Sequence, residues 1–296
     1  MFSASGALGV SRPRFLLLSV ALVASATAAA RCAGFWSPAY ALLALVGLVA
    51  LHAAVDAINE AGDAISGIDD HTLRTPFSGG TGTIQAGAIS ARGAYLWGFF
   101  CTAVGASIGV WFLIEVGVAL LPILVLGAVS VLAYTHVFLR IGLGELFAGL
   151  GLGALPILGA SMIHSGSVPI QGVAVAIPAF FMTFNLLFLA EFPDAEADRA
   201  GGRRHLVILL GRRRAALLYV AVALAAPISI AAAVALGWLP PLCLLACLPT
   251  LLLAPGFRWA LLDADNPTPL PALASNVIWN LGTHTVLAAT LAWACS

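Results

Sequence analysis

Long apolar runs dominate the chain, and charged positions are confined to the short breaks between them. Charge-free windows cover residues 15–30, 32–55, 93–114, 116–139, 146–190, 215–257 and 266–296. One helical crossing of a bilayer needs about 20 apolar residues. The windows 146–190 and 215–257 therefore each predict two helices, broken at His164-Ser165-Gly166-Ser167-Val168-Pro169 and at Gly237-Trp238-Leu239-Pro240-Pro241. The pattern predicts an all-α polytopic membrane protein with nine transmembrane helices. The first window is short and borrows Arg14 as a snorkelling end. Arg12, Arg14, the apolar stretch and Ala28-Ala29-Ala30 resemble a signal peptide, but the remaining spans need this helix as their first member.

Nine spans place successive connections on alternate sides. One side receives twelve arginines, from Arg12 and Arg14 to Arg258, and the other only Arg31. The positive-inside rule then predicts a cytoplasmic N-terminus and an external C-terminus. Composition agrees: 61% of the 296 residues are hydrophobic and 9% charged, against roughly a quarter charged in soluble domains. Mean hydropathy is +1.04. The formal net charge is zero, so no basic surface recruits nucleic acid, and nothing in the chain requires a protein partner. The five cysteines lie in apolar runs without metal-type or disulfide-type spacing and read as core or lipid-facing residues. The histidines form no HExxH motif, which removes metalloprotease chemistry.

Nine of the 13 acidic residues fall in two segments, Asp56–Asp70 and Glu191–Asp198. Both lie at inner helix ends, four helices apart, which suggests one domain over 1–296 built from halves at about 13–140 and 141–258, plus a last helix at about 273–295. A carboxylate inside a bilayer costs about 2.5–3.5 kcal/mol on insertion scales, so acids held there have a task. Asp56, Asn59 and Asp63 share one helical stripe, as do Asp194 and Asp198. Hard oxygen ligands in this arrangement suit Mg²⁺, which keeps waters and is completed by substrate phosphates. Glu60, Asp70 and Glu196 read instead as solvated helix ends.

Asn59-Glu60-Ala61-Gly62-Asp63 followed by Gly67-Ile68-Asp69 resembles the first aspartate-rich motif of the UbiA superfamily of intramembrane prenyltransferases, in its menaquinone-branch form. Glu191-Phe192-Pro193-Asp194-Ala195-Glu196-Ala197-Asp198, continuing to Gly202-Arg203-Arg204, resembles the second. Thr75-Pro76-Phe77-Ser78-Gly79-Gly80 is similar to the loop after the first motif, and Tyr134-Thr135, Arg140 and Gly142-Leu143-Gly144-Glu145 to the loop between helices 4 and 5. The likeness covers nearly the whole chain, and nine helices is that family's number. Three departures touch acceptor identity more than reaction class: Glu60 for Asp, Ala190 for Asn, and His136-Val137-Phe138 for a Gly/Pro stretch.

The resemblance implies a UbiA-type bundle in a prokaryotic cell membrane, with its active site facing the cytoplasm. It implies Mg²⁺-dependent transfer of a polyprenyl group from its diphosphate to a small aromatic acceptor, 1,4-dihydroxy-2-naphthoate-like in this motif form. Asn59, Asp63, Asp69, Asp194 and Asp198 would hold two Mg²⁺ ions bridging the diphosphate, and Arg74, Arg140, Arg203 and Arg204 would neutralise it. Asp63, Asp194, Asp198 and Arg140 are the catalytic set, and Asp56, Tyr134 and Glu145 are acceptor-binding candidates. A cyclase using the diphosphate alone, other acceptors, and an ion-coupled transporter are the rival readings. Transport predicts midplane acids in broken helices, whereas these acids cluster at one face beside Arg-rich loops.

Overall fold

The computed structural model describes residues 2–296, and among the described residues all regular structure is helical. The bundle consists of α1 (Leu17–Cys32), α2 (Pro38–Ser66), α3 (Ala91–Val116), α4 (Val118–Ile141), α5 (Gly144–Ser165), α6 (Ile170–Ala200), α7 (Arg212–Ala235), α8 (Pro241–Leu262) and α9 (Leu270–Ala294). Among the described residues seven of these, α2 to α8, are long and apolar enough to cross a membrane. Helix α1 has 16 residues, about 24 Å at 1.5 Å per residue. Helix α9 has 25 residues, but Asn276, Asn280 and His284 interrupt its apolar sequence. Length and hydropathy alone therefore yield seven spans where the charge pattern predicts nine.

Local chemistry sets the helix ends. Ser37 accepts a hydrogen bond from the Tyr40 N–H while Pro38 opens α2, and Ser90 caps α3 through the Gly93 N–H. Helix α2 ends at Gly67, whose left-handed φ of 76° turns the chain into the short helix Ile68–His71. Helix α6, 31 residues long, runs through the bundle interior against α1, α5, α7 and α9. Its Phe188 and Phe192 pack with Tyr219 and Trp259 in one core cluster. Gly149 and Gly153 of α5 leave no room for side chains: an added Cβ would meet Phe180 O at 2.8 Å and Ala179 O at 2.6 Å. The outer faces are apolar, with Phe99, Phe100, Ile114, Val118, Ile228 and Leu251 exposed, as helices facing lipid require.

The structure corrects the reading of the cysteines. Cys32, at the end of α1, is disulfide-bonded to Cys295, just beyond α9, with Cα atoms 5.0 Å apart; Cys101, Cys243 and Cys247 are free. Residues 263 apart show no pairing in sequence, and only the packing of α1 against α9 unites them. Denaturing alkylation without reductant is expected to label three of the five cysteines, and all five after reduction. Five labels without reductant, read by intact mass, would exclude the bridge.

Candidate active site

The two acidic segments meet at one end of the bundle. Asp63 leaves the last turn of α2, Asp69 sits in the short helix after Gly67, and Asp194 and Asp198 lie one turn apart on α6. Asp63, Asp69 and Asp198 are buried. Arg203 joins the two helices, donating to Asp63 Oδ1 through one guanidinium nitrogen and to Asp198 Oδ1 at 2.8 Å through another. The Arg203 N–H also bonds the Asp198 carbonyl at 2.8 Å, so the turn after α6 aims the side chain. With its amide oriented to satisfy both neighbours, Asn59 accepts from Arg203 at 2.9 Å and donates to Asp63 Oδ2 at 3.3 Å.

The loop from Thr75 to Gly80 closes the site. The Thr75 hydroxyl accepts from the Phe77 and Ser78 N–H groups. The turn it stabilises points the Gly79 N–H at Asp194 Oδ2, 3.0 Å away. Gly80, at φ +70°, passes so close to Asp69 that an added Cβ would lie 2.8 Å from its carboxylate. Gln85 Nε2 donates to Asp69 Oδ2 at 3.3 Å. Asp194 Oδ1 is buried with no hydrogen-bond partner.

Glu60 is not the solvated acid its place in the sequence suggests. It is fully buried, and Arg12 donates to its Oε1 through Nε at 2.8 Å and through a terminal nitrogen at 2.5 Å. The Thr81 N–H and hydroxyl complete its shell at 2.8–3.1 Å. A buried pair stripped of one partner is destabilised by about 3–5 kcal/mol. Arg12→Gln is therefore expected to lower the apparent melting temperature markedly, and Arg12→Gln with Glu60→Gln to recover part of the loss. An unchanged melting temperature in the single variant would show the pair to be dispensable. Asp70 and Glu196, by contrast, are exposed.

Behind this mouth runs a cavity of about 550 Å³ lined by α2, α3, α4 and α5, with α6 and α9 adding residues to its wall. It follows α2 from Asn59 to Ala44, roughly 22 Å of helix. Its walls are mostly apolar, with Phe15, Phe77, Phe112 and Phe147 among the aliphatic side chains, and Arg12, His52, Asp56, Asn59 and Tyr134 are its polar end. Ser19 and His52 Nδ1 share a hydrogen bond at 3.0 Å, His52 Nε2 lies 3.9 Å from Asp56 Oδ2, and that oxygen has no hydrogen-bond partner. Two π-helical turns, Tyr134–Phe138 in α4 and Leu150–Ala154 in α5, interrupt helices lining the cavity. The aromatics Trp97, Phe99, Phe100, Phe180 and Phe181 do not line it.

The structure thus brings together Asn59, Asp63, Asp69, Asp194, Asp198 and Arg203, with Asp56 and Tyr134 on the cavity side. Arg74 is exposed and donates to the Asp69 carbonyl at 3.2 Å. Arg140 and Arg204 are exposed, and among the described residues neither pairs with an acid. Glu145 is buried away from the cavity and accepts from the Leu206 N–H at 2.6 Å. Gln85 and His205 take part without being singled out by their sequence, and Arg12 without being assigned to the site; a motif records spacing along one segment, and these arrive from other segments.

The donors present fit a divalent cation. Four carboxylates gather where one guanidinium pairs with only two of them, and one carboxylate oxygen is buried and unpartnered. Burial first, then the nearby Asp63 and Glu60, push the Asp69 carboxyl up to about 6. A carboxyl raised in the folded protein makes folding less favourable as pH rises through that value, and a cation bound to the carboxylate relieves the cost. The gain in melting temperature on adding Mg²⁺ is therefore expected to be large at pH 7.5 and to shrink as pH falls through about 6. A gain independent of pH between 5 and 8 would exclude Asp69 from the metal shell.

Fold and site define a helical membrane protein whose acid-lined, arginine-clamped mouth opens into an apolar cavity. Over residues 17–281 the chain matches the UbiA prenyltransferase family, and it belongs to that family. With its apolar helices, this makes it an integral, multi-pass membrane protein. It is 29% identical over 113 residues to a 1,4-dihydroxy-2-naphthoate octaprenyltransferase of Bacillus subtilis (strain 168). That match spans 38% of this chain and about a third, 34%, of the relative. The apo UbiA homolog from Aeropyrum pernix K1 superposes with a TM-score of 0.69 at 21% identity, over 91% of this chain and 96% of that one. A UbiA homolog from Archaeoglobus fulgidus, solved with GPP and Mg²⁺, superposes at 0.65 and 16% identity, over 97% and 99%. Identities this low establish a shared fold.

Proposed function

We propose that the protein transfers a polyprenyl group from its diphosphate to a small aromatic acceptor, of the dihydroxynaphthoate kind, at the cytoplasmic face of a prokaryotic membrane. The observation carrying this reading is the convergence of Asp63, Asp69, Asp194 and Asp198 beside Asn59, which lines the polar end of an apolar cavity. The Archaeoglobus homolog bound to GPP and Mg²⁺ and the 1,4-dihydroxy-2-naphthoate octaprenyltransferase of Bacillus support it.

Asn59, Asp63, Asp69, Asp194 and Asp198 would hold two Mg²⁺ ions, which supply positive charge against the diphosphate. Arg203, with Arg74, Arg140 and Arg204 on the surrounding loops, adds to that charge as the allylic C–O bond breaks and its electron pair leaves with the diphosphate. The aliphatic walls around Leu48, Leu51 and Leu124 receive the prenyl chain and keep water from the allylic carbon. Asp56, His52 and Tyr134 orient the acceptor at the polar end, and the ring carbon that attacks yields its proton to Asp56 or to the departing diphosphate. Glu145, the remaining acceptor candidate, does not line the cavity and has no contact with an acceptor in this reading.

The test is incubation of purified protein with Mg²⁺, labelled prenyl diphosphates and a panel of aromatic acceptors, with lipid products read by mass spectrometry. A prenylated acceptor that disappears with EDTA supports the proposal and names the acceptor. A cyclised hydrocarbon would replace transfer by cyclisation, and an intact diphosphate at every chain length would end the enzymatic reading.

A further inference from the structure

A second group of buried polar side chains lies behind the acidic mouth and meets it only where His205 faces Asp198. Glu145 stands in the first turn of α5, Glu191 on α6 one turn before Asp194, and His205 in the segment after α6. They are 1%, 5% and 1% exposed. One ligand-type atom from each lies within 4.8 Å of those of the other two. Glu145 Oε1 is held by the Leu206 N–H, but Glu145 Oε2, both Glu191 oxygens and both His205 ring nitrogens lack hydrogen-bond partners. His205 Nδ1 lies 3.7 Å from Glu191 Oε2, and Nε2 lies 3.3 Å from Asp198 Oδ2.

Two carboxylates this deep need compensating charge, and the nearby guanidiniums are committed elsewhere. Arg203 holds Asp63 and Asp198, and Arg12 holds Glu60. We infer that Glu145, Glu191 and His205 form a second divalent-metal site, which takes a zinc- or manganese-type ion in preference to Mg²⁺. Mg²⁺ favours an all-oxygen shell, whereas an imidazole with two carboxylates suits Zn²⁺, Mn²⁺ or Co²⁺. Three protein ligands leave a further position for water. With Nδ1 toward the ion, Nε2 faces Asp198, the carboxylate–histidine–metal arrangement that fixes a ring's tautomer and angle. The ion would thereby steady Asp198 from behind without entering the mouth. This inference does not depend on the proposed reaction.

The experiment uses full-length protein in detergent, stripped with chelator and kept in excess Mg²⁺ so that the all-oxygen donors are occupied. Co²⁺ is titrated as a spectroscopic probe and displaced with Zn²⁺. One equivalent is expected to bind, to survive in Asp63→Asn with Asp194→Asn, and to weaken at least about 100-fold in His205→Gln or Glu191→Gln. X-ray absorption of the wild-type Zn²⁺ form should show a single imidazole nitrogen in the first shell, which decides the matter even where a variant does not fold. No retained Co²⁺ or Zn²⁺ under excess Mg²⁺, or a shell without imidazole, would overturn the site and leave Glu145 and Glu191 as a proton-sharing acid pair. Binding lost in the aspartate variants but kept in His205→Gln would assign the ion to the mouth instead.

Discussion

Replacing Asp194 by Asn should lower turnover by about 10³-fold or more while the protein still folds. The side chain keeps its size, and the amide oxygen still accepts the 3.0 Å hydrogen bond from Gly79. What disappears is one negative charge, at the residue whose Oδ1 is buried and unpartnered. That oxygen has no structural task, so its loss should leave the melting temperature in EDTA unchanged or slightly raised. The same change should abolish the Mg²⁺-dependent rise. Asp63→Asn should cost similar activity, but it also removes a partner of Arg203, so its stability in EDTA should fall. Exposed Glu196, two residues beyond Asp194, is the control, and Glu196→Gln should stay within twofold of wild type. Initial rates at saturating Mg²⁺ and prenyl diphosphate, with melting curves in parallel, check all three. Near-normal turnover in Asp194→Asn would remove it from the metal-binding set.

Why was so much of this site visible in the sequence? Carboxylates near a bilayer are costly enough to be rare, so two clusters of them stand out against apolar runs, and helical spacing puts Asp56, Asn59 and Asp63 on one stripe. Contacts made across the bundle were not visible. Arg12 and Glu60 are 48 residues apart, and opposite charge alone does not select this pair over others. Nor do Cys32 and Cys295 carry any local mark. The arginines show the same limit in reverse. Four of them flank the motifs, yet only Arg203 is drawn in between the acids, because Gly201 and Gly202 turn the chain directly behind Asp198. Arg140 and Arg204 remain on the surface. Hydropathy yields seven spans rather than nine for a different reason: α9 carries buried Asn276, Asn280 and His284, which lower its hydropathy although two of the three find partners inside the bundle. Asn276 donates to the Asn185 carbonyl at 3.1 Å, and His284 Nδ1 meets Ser25 at 3.1 Å.

Arg203→Met is the variant expected to damage the resting protein most. Burial works against a charged guanidinium, but Asp63 and Asp198 more than offset it and hold Arg203 firmly protonated. Removing it leaves two buried carboxylates on different helices facing each other with no guanidinium between them. Loss of one partner from a buried pair costs about 3–5 kcal/mol, which for a chain of this size lowers the apparent melting temperature by on the order of 10 °C. The deficit should be greatest in EDTA and should narrow on adding Mg²⁺ with inorganic pyrophosphate, because bound cations replace the missing charge. Arg203→Lys should fall between the two, since an ammonium supplies the charge but not a planar fork reaching both carboxylates. If Arg203→Met melts like wild type in EDTA, the bridge contributes nothing to the fold. If Mg²⁺ and pyrophosphate fail to narrow the gap, the cations do not bind between Asp63 and Asp198. A full deficit in EDTA that closes with Mg²⁺ and pyrophosphate would identify Arg203 as the residue that holds the two acidic helices together until metal and diphosphate arrive.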